Sequence, residues 1–127
     1  MSQGIIMRAA HFPGRAPIDA YGNGGFRFAD MSHIGSILCM PSGIYGWQPG
    51  TILQFADFEK LNAEANTFDV LLVGMGLEIR AIPKALREAL KERGVVAEPM
   101  STGAAVRTYN VLLAEERRVA AALLAVD

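Results

Sequence analysis

The spacing of apolar residues changes along the chain, and it predicts strands in the first half and alternating helices and strands in the second. Two short apolar runs, residues 18–21 and 26–28, flank the segment Gly22-Asn-Gly-Gly25. A cluster of glycine and asparagine supplies the positive φ angles that a hairpin turn requires. We therefore predict a first β-hairpin around this segment.

A second hairpin is predicted from the next two apolar runs, residues 34–40 and 44–47. These runs flank Pro41-Ser-Gly43. Proline presets one dihedral angle of such a turn, and glycine accepts a left-handed one. The first half of the chain is therefore expected to be rich in β-structure.

From Thr51 onward the apolar period lengthens to that of a helix. Phe55, Phe58, Leu61 and Ala65 fall at spacings of three and four, and the charged residues lie mostly between them. Such a stripe is typical of an amphipathic helix, here one of about three turns.

Residues 68–98 predict a β-α-β unit. The near-continuous Val/Leu run of residues 68–73 indicates a strand that is buried on both faces. Pro83 suits the first position of a helix, and Gly94 can take the left-handed conformation that stops it. Residues 95–98 then form a second strand, which should run parallel to the first.

The last part of the chain begins with a further predicted helix. Ser101 or Thr102 offers a hydroxyl as its N-cap, and the helix should run to about Leu113. Residues 117–126 leave two interpretations open, because their alanines favour a helix while the absence of a 3.6-residue period is compatible with a buried strand.

Composition limits the classes of protein that the chain can belong to. It has 127 residues, of which 51% are hydrophobic and 20% charged, and its formal net charge is −1. Folding removes roughly two-thirds of the exposed surface at this size, so one domain spanning residues 1–127 is expected. No excess of positive charge is present to hold phosphate backbones, so nucleic acid is not an expected partner.

The sequence predicts a cytoplasmic protein. Arg8, His11, Pro13 and Arg15 interrupt the apolar run that a secretory signal would need. No apolar run reaches the ~20 residues needed to span a bilayer. The single cysteine, Cys39, cannot form an internal disulfide, and we expect a buried, inert thiol because no histidine or basic residue lies near it in sequence.

Gly74-Met75-Gly76 is the first candidate for binding chemistry. The segment follows a predicted strand, a position where backbone amides can cradle a phosphate group. The third glycine of a nucleotide fingerprint is missing, and six residues intervene before Pro83. A tight turn with close backbone packing is the competing and better supported interpretation.

Arg107 and Asn110 are the second candidate. They share one helical face with Gly103 and Ala114, at spacings of four, three and four. One hypothesis is that they face a cleft and hold an anion or a polar group of a partner. The alternative is that Arg107 pairs with a carboxylate such as Glu98, while Asn110 caps a strand end.

The sequence contains no recognisable catalytic constellation. His11 and His33 lack metal-ligand spacing, and neither a nucleophile elbow nor a zinc-protease motif occurs. We therefore expect no metal and no cofactor. The absence of enzyme motifs is not proof of inactivity, so the interpretation leans towards a non-enzyme and leaves enzymatic activity undecided.

Five segments together resemble a known family. They are YGNGGFRF, GSILCMPSGIYGW, VLLVGMG, IPKALREAL and TGAAVRTYNVLLAEERRVAAAL. In this order they resemble the small domain family of largely unknown function that includes the mitochondrial NADH:ubiquinone oxidoreductase (complex I) assembly factor 3 and an adipogenesis-associated cytosolic protein. The resemblance covers about residues 4–126, and the last segment is the most specific.

The resemblance implies a three-layer α/β fold with a mixed central sheet, whose last strand runs antiparallel to its neighbours. Residues 117–126 would then form that strand. The family usually has glycine where this chain has Glu116, in a helix-to-strand turn that needs positive φ. Glu116 should therefore bear strain of order 1 kcal/mol, unless the turn is formed differently here.

For function, the resemblance implies a non-catalytic accessory protein with protein partners, namely subunits or assembly factors of a respiratory complex. Such partners would bring the chain to the inner face of a membrane. Gly74, Gly76, Arg107, Thr108 and Asn110 are motif positions of the family, and with Met75 they are our candidate binding residues. The alternative is a small-molecule or anion binder, or an unrecognised enzyme, with a pocket between the glycine turn and Arg107.

Overall fold

The computed structural model describes residues 12–77 and 81–127. Within them the chain forms two β-sheets and three α-helices. The helices are α1 (Glu59–Ala63), α2 (Lys84–Glu92) and α3 (Thr102–Ala114). The strands are β1 (Ala20–Gly22), β2 (Gly25–Phe28), β3 (Met31–Ile34), β4 (Ser36–Met40), β5 (Gly43–Trp47), β6 (Val70–Gly74), β7 (Val96–Met100) and β8 (Val119–Leu123).

The smaller sheet is an antiparallel meander of β1, β2 and β3. Its first turn confirms the predicted hairpin, with Asn23 at φ 52° and Gly24 at φ 79°. Its second turn places Ala29 and Asp30 at φ 49° and 61°. Asp30 is a residue type that tolerates positive φ, but Ala29 is not, so the turn and β3 were not predicted.

The larger sheet has the strand order β5-β4-β8-β6-β7. The antiparallel pair β4 and β5 confirms the second predicted hairpin. Its first strand starts at Ser36 rather than at Ile34, because residues 31–34 pair with β2 in the smaller sheet. The parallel pair β6 and β7, with α2 between them in sequence, confirms the predicted β-α-β unit.

The last strand, β8, lies in the middle of the larger sheet, so residues 117–126 contain a strand as the resemblance implied. Its expected orientation holds on one side only. It is antiparallel to β4 but parallel to β6, so the expectation of antiparallel neighbours is wrong for β6. The reason is that α3 makes a second crossover, from β7 to β8, and such a connection joins parallel strands.

Alternating side chains divide the larger sheet into two buried faces. Leu71 and Val73 point to the face covered by α2, and Leu72 points to the face covered by α3 and the smaller sheet. This alternation follows from the two-residue period of a strand. The result is the predicted three-layer α/β arrangement with a mixed central sheet.

The prediction of one continuous three-turn helix over residues 55–65 is wrong, because the segment is divided into three short helical pieces. Only α1 is α-helical, and 3-10 turns flank it at residues 55–58 and 65–67. In the first of these turns, the carbonyl of Asp57 accepts a hydrogen bond from the Trp47 indole at 2.8 Å, a tertiary contact that the apolar spacing does not reveal. The apolar stripe is nevertheless buried as expected at Phe58, Leu61 and Ala65.

The helices α2 and α3 end in the same type of turn. After α2, the amides of Gly94 and Val95 donate to the carbonyls of Lys91 and Leu90, and Gly94 has φ +81°. This is the predicted glycine stop. Pro83 differs slightly from its prediction, because it is the N-cap of α2 rather than its first helical residue.

Glu116 occupies the position in the turn after α3 that Gly94 occupies after α2. Its amide donates to the Leu113 carbonyl at 2.9 Å, and the next amide donates to Leu112 at 3.0 Å. Its φ is 59°, so the positive φ that the resemblance implied is present without the glycine. The backbone of an L-residue is strained in this region.

We predict that Glu116→Gly raises the free energy of unfolding by about 0.5 to 1 kcal/mol, because glycine removes the steric cost of positive φ. Chemical denaturation of the purified protein measures the change. The matched control is Gly94→Glu, which should lower stability by about 1 kcal/mol, since a Cβ there meets nothing within 4 Å and only the backbone conformation opposes it. A destabilised Glu116→Gly protein would contradict this account.

Candidate functional site

The glycine turn at the carboxyl end of β6 is closely packed. A Cβ added to Gly74 would lie 3.0 Å from both the Leu123 side chain and the Cα of Thr102. Gly76 has φ +96°, which favours glycine. The turn therefore matches the tight-turn interpretation.

Thr102 joins three segments of the chain at this turn. Its hydroxyl accepts a hydrogen bond from the Gly76 amide at 3.0 Å and donates to the Leu124 carbonyl at 2.7 Å. Its own amide donates to the Gly76 carbonyl at 2.8 Å. Leaving cysteine and tyrosine aside, Thr102 is the one buried polar or charged residue in the part of the chain that the structure describes. The Gly76 amide is thus already used within the protein, which removes one donor from the phosphate-cradle hypothesis.

An apolar groove opens beside the same strand end. Its volume is about 390 Å³, and Met75 forms part of its wall. The residues that line it are Thr51, Ile52, Leu53, Met75, Ala81, Ile82, Pro83 and Leu124. The Ile52 side chain is 76% exposed, although it is apolar. The groove can accept an apolar group without rearranging a charged side chain among these lining residues.

Asn110 binds the chain segment that leads into β1. Its carbonyl oxygen accepts from the Ile18 amide, and its amide nitrogen donates to the Ile18 carbonyl, both at 2.9 Å. The side chain thus imitates the backbone of a neighbouring strand. This is close to the alternative that the sequence left open, in which Asn110 satisfies a strand end.

Arg107 lies on the exposed surface of α3, and Thr108 beside it is half-buried. Arg107 forms no ion pair with Glu98 or with any other residue of the described ranges. Its guanidinium instead lies near Gly103, where Tyr21 of β1 also packs. The predicted structural pairing with Glu98 is therefore not observed.

The single thiol is buried, as predicted. Burial raises the pKa of Cys39, while a hydrogen bond with the Tyr109 side chain lowers it to a smaller extent. Burial is also the main cause of the raised pKa of the Tyr109 hydroxyl. Both groups therefore stay protonated at neutral pH, as an inert pair in the layer between α3 and the sheet.

Two further classes of site, metal centres and membrane-spanning helices, are not found in the described residues. Within residues 12–77 and 81–127, no group of three or more His, Cys, Asp or Glu side chains is arranged to hold a metal ion. Among the helices of these same ranges, none combines the length and apolar character that a membrane crossing requires.

Comparison with known proteins identifies the family. A family model described as "Protein of unknown function (DUF498/DUF598)" matches residues 18–124. The chain belongs to this family. An uncharacterized family relative from Rhodobacter capsulatus is 47% identical to it over 92% of this chain and 90% of its own length.

The family fold is also seen in solved structures. The crystal structure of an outer membrane protein from Bartonella henselae is 58% identical to the chain and has a TM-score of 0.88. The match covers 92% of this chain and 100% of that one. The three-layer arrangement is thus shared with a solved protein at high sequence identity.

A more distant family relative carries a functional name. The mouse NADH dehydrogenase [ubiquinone] 1 alpha subcomplex assembly factor 3 is 26% identical over 94% of this chain. The chain spans 66% of the length of that protein. The resemblance inferred from the sequence motifs is confirmed by these matches.

The six predicted site residues lie in two places. Gly74, Met75 and Gly76 surround the junction with Thr102, and only Met75 lines the groove. Arg107, Thr108 and Asn110 lie on α3 and are not part of the groove wall. Their roles in binding remain predictions.

Most of the groove was not predictable from the sequence. Its wall combines four separate segments, which are represented by Ile52, Met75, Ile82 and Leu124. Only one signal was available, namely that Ile52 and Leu53 are apolar but precede the helical stripe that begins at Phe55.

We predict that Thr102→Val lowers the free energy of unfolding by about 2 to 4 kcal/mol, because it leaves the Gly76 amide and the Leu124 carbonyl without their partner. Thr102→Ser is the control, and it should cost about 1 kcal/mol because it removes one buried methyl group. Urea denaturation measures both. Equal stability of the two variants would show that the hydroxyl does not hold the junction.

We also predict that Asn110 and Arg107 differ in their contribution to stability. Asn110→Ala should cost about 1 to 3 kcal/mol, because both backbone groups of Ile18 lose their partner. Arg107→Ala should stay within about 0.5 kcal/mol, as expected for an exposed side chain. Thermal unfolding of both variants tests this, and a large loss in Arg107→Ala would reveal a structural contact for the guanidinium.

Proposed function

We propose that the chain is a non-catalytic accessory protein that binds a protein partner through the apolar groove. The observation that carries this proposal is the groove itself, whose wall includes a solvent-exposed isoleucine. A contiguous exposed apolar surface is typical of protein interaction sites. The similarity of the chain to an assembly factor supports a protein as the partner.

The groove has features that suit docking. Thr51 supplies the only polar side chain among its described lining residues. The wall combines the end of the central sheet, at Met75 and Leu124, with the residues that precede α2. Because the sheet end is fixed by Thr102, part of the groove is formed before a partner arrives, which reduces the entropic cost of binding.

The occupant that fits is an apolar side chain of the partner. Burying a Leu, Ile or Phe side chain contributes roughly 1.5 to 3 kcal/mol. A few such anchors usually dominate the affinity of an interface. Ile52 would contribute in the same way from this side of the interface, since 76% of its surface is available to be buried.

The partner class follows from the functional name of the distant relative. We propose that the partner is a subunit or an assembly factor of a membrane-bound NADH dehydrogenase complex. The chain would then act from the cytoplasm at the inner membrane face, and its contact with the membrane would be through this partner.

The test is affinity capture from detergent-solubilised membranes of the source organism, with the tagged chain and its Ile52→Glu variant. We expect the wild-type chain to enrich NADH dehydrogenase subunits or their assembly factors, as measured by quantitative mass spectrometry. The variant should lose about tenfold or more of this enrichment, which corresponds to about 1.4 kcal/mol of binding free energy. Its stability should be nearly unchanged, because the side chain is exposed.

The matched control is Ile34→Glu. Ile34 is 81% exposed but lies on β3 in the smaller sheet, away from the groove. This variant should capture the same proteins as the wild-type chain. Equal loss in both variants, or no enrichment of such proteins by the wild-type chain, would contradict the proposal.

A further inference from the structure

Tyr21 of β1 lies directly against the first turn of α3. A Cβ added to Gly103 would collide with the Tyr21 hydroxyl and would lie 3.2 Å from the ring carbon that carries it. Gly103 does not have positive φ, so the reason for a glycine here is space. The missing side chain allows the phenol to sit on the helix.

Arg107 reaches the same place from the next helical turn. It follows Gly103 by four residues, and side chains at this spacing lie on the same face. Its Nη1 atom is 3.6 Å from the position that a Cβ of residue 103 would occupy. The Tyr21 hydroxyl and the Arg107 guanidinium therefore converge above Gly103, and both residues are exposed to solvent.

The position of Tyr21 is fixed on both sides along the chain. Before it, Ile18 is bound to the side chain of Asn110 by two hydrogen bonds. After it, the amide of Gly24 donates to the carbonyl of Val126 at 2.8 Å. The strand segment that carries Tyr21 is thus anchored on both sides without a ligand, and a backbone that is fixed in advance lowers the entropic cost of binding.

The guanidinium of Arg107 differs from most others in the described ranges. Five arginines donate to, or pair with, an acceptor within the protein: Arg15, Arg27, Arg93, Arg117 and Arg118. Arg107 has no such acceptor among the described residues. Its donors are available to a group from outside.

We propose that Tyr21 and Arg107 form an oxyanion site that recognises a carboxylate group. A guanidinium offers only donors, and a phenol offers one more, so the complementary group is one that only accepts. A carboxylate fits the planar fork of arginine with two parallel hydrogen bonds. This site is independent of the apolar groove, and its test does not depend on the proposed function.

The test is a nuclear magnetic resonance titration of the labelled protein with sodium acetate at constant ionic strength. The Arg107 Nε–H and Gly103 amide signals should shift and saturate. Arg107→Gln should abolish this response, and Tyr21→Phe should weaken it two- to tenfold because it removes one donor. Gly103→Ala keeps both donors but displaces the phenol, so it should weaken binding as well.

Arg87→Gln is the matched control. Arg87 is also an exposed arginine on a helix, α2. Its guanidinium has no hydrogen-bond acceptor or ion-pair partner among the described residues. Its substitution should leave the response at Arg107 unchanged. A spectrum of each variant without acetate shows whether it is folded.

A second arm identifies the source of the carboxylate. A blocked tripeptide with one central glutamate replaces acetate as the probe. Binding at least tenfold tighter than that of acetate would support a carboxylate presented by a protein, and equal affinity would support a free small acid. Shifts that do not saturate with either probe, or that persist in Arg107→Gln, would overturn the proposal.

Discussion

The hydroxyl of Thr102 is the interaction on which the rest of the structure depends. It binds the Gly76 amide after β6 and the Leu124 carbonyl after β8, and it does so from the first residue of α3. Three segments that are distant in sequence are thereby fixed at one point. Leaving either buried backbone group without this partner would lower the stability of the protein. The junction therefore ties the ends of β6 and β8 to the first turn of α3.

Both candidate binding surfaces follow from this junction. On one side, the fixed strand ends bring Met75 and Leu124 into the wall of the apolar groove. On the other side, the fixed start of α3 places Gly103 beneath Tyr21 and Arg107. One buried polar side chain thus supports an apolar surface and a cationic one, and the two can act separately because they share no lining residue.

Local sequence signals predicted those parts of the fold that depend on local chemistry. The Gly22-Asn-Gly-Gly25 turn and the end of α2 at Gly94 were predictable. Both need positive φ, and glycine is the residue that adopts it without steric cost. The turn at Ala29 and Asp30 was not predictable, since alanine rarely adopts positive φ and its residue type does not indicate a turn. The orientation of β8 and the groove depend on the packing of distant segments, which no residue spacing encodes.

Occupation of the groove by a protein partner can be measured by hydrogen exchange. Amide exchange would be measured for the chain alone and with purified, detergent-solubilised NADH dehydrogenase complex or an assembly intermediate of it. We expect slower exchange in the complex at Ile52, Leu53 and Ile82, which line the groove. Unchanged exchange at these amides, with protection confined to the smaller sheet around Ile34, would contradict it.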